Sequence, residues 1–298
     1  MGWMSHTWLV TSILSAVFFA IASFIVTIGA KKNYSISQML LGLYISGAIM
    51  FAGYVLLHNG FFWNKEILLW GLIIGLGSSL GNALFTYSLK LGPVSLTAPL
   101  ANSNVILVIA MSVFYYGESI SVTQIIAITL ILLACFLLPF DPDEKKNVKH
   151  NSWFVVILFT IFFMFLLNGG LKITQELSLD NTLVLFYSYI FSIIFFLTSI
   201  KFIQIKFHPK FKSSTTVNFE WQKRAIQIGL FAGLFSFLGL QMYTMALAIG
   251  PASVVVPIFS ARNVVVAMLC LWYFKESLSI FQKVALTSLL SGLVLVGI

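Results

Sequence analysis

Residues 92–118 read GPVSLTAPLANSNVILVIAMSVFYYGE, and residues 250–276, lying 158 positions on, read GPASVVVPIFSARNVVVAMLCLWYFKE. Both open on Gly-Pro, repeat a proline six residues later and end on a glutamate. The same spacing of 158 pairs Gly71 with Gly229, Gly75 with Gly233, Gly81 with Gly239, Thr86 with Thr244, Ser95 with Ser253, Ser121 with Ser279 and Gln124 with Gln282. Shared apolar composition aligns Leu and Val by chance, but it does not hold Gly, Pro, Glu and Gln in register. The chain therefore carries an internal duplication.

Working outward, apolar runs long enough for a helix to cross hydrocarbon cover 8–29, 37–57, 67–89, 94–116, 122–140, 152–171, 182–203, 225–247, 252–274 and 280–298. They are too long, and alternate too little, for a membrane β-barrel. The expected fold is an all-α integral membrane protein of ten transmembrane helices. Its halves are residues 1–140 and 152–298, joined by a charged linker at 141–151. Five is odd, so the second half enters the membrane from the opposite side and the repeats are inverted. Two inverted halves supply the interchangeable structures that alternating access requires.

Composition agrees. Of 298 residues 59% are hydrophobic and 9% charged, against roughly 25% charged in soluble domains. The net charge of +8 lies mostly in the gaps between apolar runs, without the aromatic-interleaved basic stripe of a nucleic-acid surface. It reads as topology signal and lipid-headgroup contact. Lys31, Lys32, Lys145, Lys146, Lys149 and the basic stretch 201–224 fall on one side, while the other has little beyond Lys65 and Lys172. The charge count puts the rich side in the cytoplasm and both termini outside. Cys135 and Cys270 sit in apolar runs without metal-ligand spacing. The N-terminus lacks a basic n-region, so the first run reads as a retained span.

Gly92-Pro93, Pro99 and Gly117-Glu118, echoed by Gly250-Pro251, Pro257 and Glu276, resemble the EamA-like permeases of the drug/metabolite transporter superfamily over essentially the whole chain. The departures are Lys275 where the family usually has glycine, and Phe18-Phe19-Ala20 where many relatives have a Trp-Gly pair. The resemblance implies export or uptake of a small metabolite. It also implies termini inside, against the charge count.

Ionisable groups within the membrane are costly and are read as functional by default. All nine acids and the four histidines fall in linkers or at helix ends, whereas Arg262 lies mid-span, about 15 Å from either end. Three readings stay open for it: satisfaction by carbonyls freed near Pro257 and by amides such as Asn104, service as counter-ion to an anionic solute through its planar fork, or a water-lined position without a specific ligand. Around it stand Ser260 and Asn263, with Asn102 and Asn104 on the fourth span, Ser78, Asn82 and Thr86 at helical spacing on the third, Gln241, Tyr243 and Thr244 on the eighth, and Asn168 late in the sixth. Each would line a solute pocket or bridge helices. Glu118 and Glu276 read as braces of a helix–helix turn, and the glycines at 71, 75, 229 and 233 as small faces for close packing.

These features make a secondary carrier for a small polar or anionic metabolite, such as an amino acid or organic anion, the leading expectation. The setting is a bacterial plasma membrane, with lipid and solute as partners, a monomer or homodimer as the assembly, and no cofactor or metal. A flippase for a lipid-linked substrate is the nearest alternative and a channel a more distant one. Intramembrane catalysis would need a buried acid–base set, and the chain offers none at mid-membrane.

Overall fold

The computed structural model describes residues 7–32, 34–58, 60–62, 64–91, 101, 103–137, 152–207, 215–274 and 280–296. Among them all regular structure is helical: α1 (Thr7–Lys31), α2 (Ile36–His58), α3 (Lys65–Leu91), α4 (Asn104–Ala110), α5 (Val122–Leu137), α6 (Ser152–Glu176), α7 (Asn181–Phe207), α8 (Thr215–Ile249), α9 (Ala252–Ser260), α10 (Arg262–Phe274) and α11 (Ile280–Val296). A π-helical turn, Met111–Tyr115, continues α4.

In hydrocarbon a backbone must satisfy its own hydrogen bonds, which makes helix the default for these apolar runs. Six of the helices, α1, α2, α3, α6, α7 and α8, are long and apolar enough to cross a membrane. The molecule is a multi-pass membrane protein. Polar side chains mark the ends. Asp180 Oδ1 accepts the N–H groups of Thr182 (2.9 Å) and Leu183 (3.2 Å) at the start of α7. Ser121 and Gln124 cap each other's backbone N–H at α5 in a capping box. Outward-facing side chains stay apolar, as Phe114, Trp272 and Ile280 show, which suits lipid as solvent.

Helices 1–3 and 6–8 pack mainly across the two sequence halves: α2 on α8, α1 on α8, α3 on α6, α3 on α7, α2 on α7. The closest approaches use glycine. Gly229 and Gly233 of α8 lie against the backbone of α2 at Met39 and Leu43, and Gly71 and Gly75 of α3 lie against α7 at Val184 and Ser188. The two crossings use corresponding residues, since Val184 and Ser188 stand 145 positions after Met39 and Leu43. The correspondence thus runs at 145 for the first two helices of each half and at 158 from the third. A hydrogen bond obeys both spacings. Tyr44 bonds to Ser78 at 2.6 Å, and Tyr189 bonds to Ser236 at 2.7 Å. The two tyrosine rings then meet edge to face at 5.0 Å.

Three sequence boundaries shift. Residues 252–274, expected as one span, are two helices separated at Ala261. The sixth span continues past 171 to Glu176, carrying Lys172 into the helix rather than a linker. The gap expected at 201–224 is helical at both edges, where α7 and α8 extend.

A Cβ at Gly229 would collide with the Met39 carbonyl, and one at Gly75 would sit 2.8 Å from the Ser188 carbonyl, whereas Gly53 has nothing within 4 Å. Gly229→Ala and Gly75→Ala are each expected to cost about 1–3 kcal/mol, seen as a lower thermal midpoint in detergent, with Gly53→Ala neutral or slightly stabilising. Equal midpoints for all three would contradict the glycine-mediated crossing.

Candidate functional site

Pro257 has no N–H to donate and its ring crowds the preceding turn, so α9 is weakened from within. It closes at Ala261, whose N–H reaches both Pro257 O (3.2 Å) and Ile258 O (3.1 Å), and α10 starts afresh at Arg262. In the first half Ala101 is helical, Ser103 is a turn and α4 begins at Asn104. The two turn residues share a backbone conformation, φ −62° and ψ −12° at Ser103 against φ −61° and ψ −12° at Ala261. Each break is thus followed by a polar residue, Asn104 or Arg262, 158 positions apart.

Arg262 is partly buried among rings. Its Cζ lies 4.2 Å from the centre of Phe259 and 4.8 Å from that of Phe19 on α1. Phe259 in turn stacks on Tyr243 of α8 at 4.3 Å. Cation–π contacts away from water contribute about 2 kcal/mol, which offsets much of the cost of a guanidinium at this depth. The Tyr243 hydroxyl is fully buried and has no hydrogen-bond partner. Ser260 Oγ donates to Pro257 O at 2.7 Å, back toward the weakened helix.

The other expected residues form separate groups. Asn104 Nδ2 donates to Ala101 O (2.7 Å), while its Oδ1 accepts from Asn168 Nδ2 (2.8 Å), so these two amides join α4 to α6. Asn168 Oδ1 is buried without a partner. Asn82 Nδ2 donates to the Tyr44 hydroxyl (3.0 Å) and to Ser78 O (2.9 Å). Gln241 Nε2 donates to Thr182 Oγ1 at 3.1 Å, tying α8 to α7, and Thr244 Oγ1 donates to Gln241 O. Thr86 and Asn263 are placed on α3 and α10 by their backbone, with side chains outside the described residues; Asn102, Pro99, Lys275 and Glu276 also lie outside them.

A second charged group escaped the sequence reading. Lys172 is 4% exposed, and its Nζ meets Glu118 Oε1 at 2.7 Å and also Glu176 Oε1 one turn along α6. Glu118 reaches this point because the chain turns at Gly117, two residues past the π-helical turn, with a φ of +67° that suits glycine. Its Oε1 also accepts Ala252 N–H (3.0 Å) and its Oε2 accepts Ser253 N–H (2.8 Å). The carboxylate therefore caps α9, where the helix dipole favours negative charge. The available signal was the i, i+4 opposite-charge spacing of Lys172 and Glu176, masked by an apolar run taken to end at 171.

Burial pushes the Glu118 carboxyl up, but the Lys172 ammonium and the Ser253 and Ala252 N–H groups outweigh it and hold the carboxyl below the usual carboxylate range. A lowered pKa adds stability above the unfolded-state value, and this is lost as pH falls through the folded-state value. Glu118→Gln is therefore expected to lower the thermal midpoint at neutral pH, with the gap to the unmodified protein closing once pH drops below about 4. A gap independent of pH would contradict this ionic role.

Comparison with known proteins follows the same outline. A solved crystal structure with 10% sequence identity superposes with a TM-score of 0.74 over 98% of this chain and 98% of its own, which shows a shared fold. An uncharacterised protein of Methanocaldococcus jannaschii is 26% identical over 133 residues, taking in 44% of this chain and 96% of the relative, which is therefore less than half as long. Residues 6–140 match the sequence model of the EamA-like transporter family. That match takes in the stretch that carries Gly92-Pro93, Pro99 and Gly117-Glu118, so residues 6–140 are similar to the EamA-like transporter family.

Proposed function

We propose that the protein is a secondary carrier that moves a small polar or anionic metabolite, of the amino-acid or organic-anion kind, by alternating access. On this reading residues 1–140 and 152–298 are two five-helix halves inverted in the membrane, joined by 141–151, in a bacterial plasma membrane. The duplicated Tyr–Ser bridges and the paired glycine crossings support two equivalent halves. The shorter relative, 96% of which matches 44% of this chain, is close to the length of one such half.

The observation that carries the reading is Arg262 at the start of α10, directly after the break in the helix. Discontinuous helices in carriers place helix ends and freed backbone groups at a central site. The planar N–H fork of a guanidinium is the group that reads a carboxylate or phosphate. The buried Tyr243 hydroxyl beside it offers one more donor for an oxyanion. Asn104, the corresponding residue after the other break, is an uncharged amide, so the two halves would contribute unequally: one supplies charge and the other a hydrogen bond.

On this reading the solute's carboxylate or phosphate pairs with the Arg262 guanidinium during transport. Purified protein is screened by thermal shift against amino acids, organic acids and sugar phosphates, and the hit is followed by counterflow in proteoliposomes. Saturable, trans-stimulated exchange of an anionic hit is expected. Arg262→Lys is expected to lose at least tenfold in exchange rate, because an ammonium lacks the planar fork, and Arg262→Ala to lose it entirely while both variants still assemble. Undiminished exchange by Arg262→Ala would overturn the anion site.

A further inference from the structure

Glu118 comes from the first half, and every group it holds comes from the second. Lys172 belongs to α6, and Ala252 and Ser253 open α9. Glu176 on α6 and Tyr116 in the turn are the other ionisable groups at this junction, the latter with Lys172 Nζ 5.3 Å from its ring centre. One carboxylate thus joins two second-half helices to the turn that follows α4. The arrangement is one-sided by sequence, because the position of α1 that corresponds to Lys172 at the 145 spacing is Thr27.

Three buried oxygens without a hydrogen-bond partner stand on the elements it joins. Ser112 Oγ is in the π-helical turn, whose carbonyl holds Glu118 N–H at 3.1 Å. Asn168 Oδ1 is one turn before Lys172 on α6, and Ser253 Oγ belongs to the residue whose N–H Glu118 accepts. Unpaired buried oxygens disfavour a dry, closed arrangement, so something must hold these elements together. The charge-assisted contacts of Glu118 are the strong interactions at the junction.

We propose that Glu118 is a latch between the halves: clamped on Lys172 and the amide end of α9 it shuts the solute pathway at this end, and its release opens that end. The latch rests on the alternating-access reading and adds to it an identified closing contact. When it opens, Ser112, Asn168 and Ser253 become the polar wall that meets water. Because Thr27 replaces the lysine in the other half, the opposite end closes without this ion pair, and the two ends open with different sensitivity to charge.

The test uses the full chain carrying Cys135→Ser, with two reporters: Ser112→Cys, and the native Cys270, which stands 158 positions after Ser112 in the sequence. The readout is the rate of modification by a membrane-impermeant maleimide applied to each face of sealed vesicles. With the latch intact, Ser112→Cys reacts slowly. Glu118→Gln is expected to speed its reaction roughly tenfold from one face only, as loss of one charge-assisted hydrogen bond shifts a two-state balance. Lys172→Met, which leaves the α9 cap in place, gives a second route to the same opening should Glu118→Gln fail to assemble. If both assembled variants leave the Ser112→Cys rate unchanged while Cys270 stays reactive, the latch is overturned and the carrier reading stands. If Ser112→Cys opens but Cys270 does not close in step, the latch stands and alternation between the ends falls.

Discussion

A polar group inside hydrocarbon has no water to turn to, so it must find its partner within the protein. This constraint explains most of what is specific about the structure. Tyr44 and Tyr189 each bring a hydroxyl into the core, and each meets a serine one helix away. Asn104 and Asn168 hold each other. Glu118, near the end of α4, finds an ammonium and two backbone amides. Because these partners lie on different helices, polar satisfaction and helix packing become one problem, which a chain of Leu, Ile and Phe alone would leave underdetermined.

Glycine makes that solution reachable. Dispersion contacts between lipid-solvated helices are gained only at close range, and Gly229, Gly233, Gly71 and Gly75 bring α8 onto α2 and α3 onto α7 until backbones touch. The helices so joined belong to different halves of the sequence. Residues 1–140 and 152–298 are therefore interlaced, and a shift of one half relative to the other must pass through these crossings and through the Glu118 contact.

The helical, membrane-spanning character of the chain was legible because its apolar runs have membrane length. The helix break was half legible. Pro257 announced a weakened helix, yet no residue type marks Ala261 as the turn, because any residue adopts its φ of −61°. The Tyr–Ser bridges were hidden by an arithmetic accident of the chain: Tyr44 and Ser78 are 34 positions apart but Tyr189 and Ser236 are 47, so Tyr44 and Tyr189 do not align at 158. Lys172 was missed because a membrane run is read to its last apolar residue, whereas a helix continues until its hydrogen bonds stop, here at Glu176. Phe19 and Phe259 carried no signal in a chain that is 15% aromatic; what singles them out is the cation that packs on both.

The account depends most heavily on the second half entering the membrane from the opposite face. Lys32, just after α1, and Leu177, just after α6, are both exposed and stand 145 positions apart, so they are equivalent points of the two halves. Single cysteines placed there, Lys32→Cys and Leu177→Cys in a chain otherwise free of cysteine, can be tested with an impermeant thiol reagent on intact cells and on inverted vesicles. Inverted halves predict labelling from opposite faces; labelling of both from the same face would contradict the account.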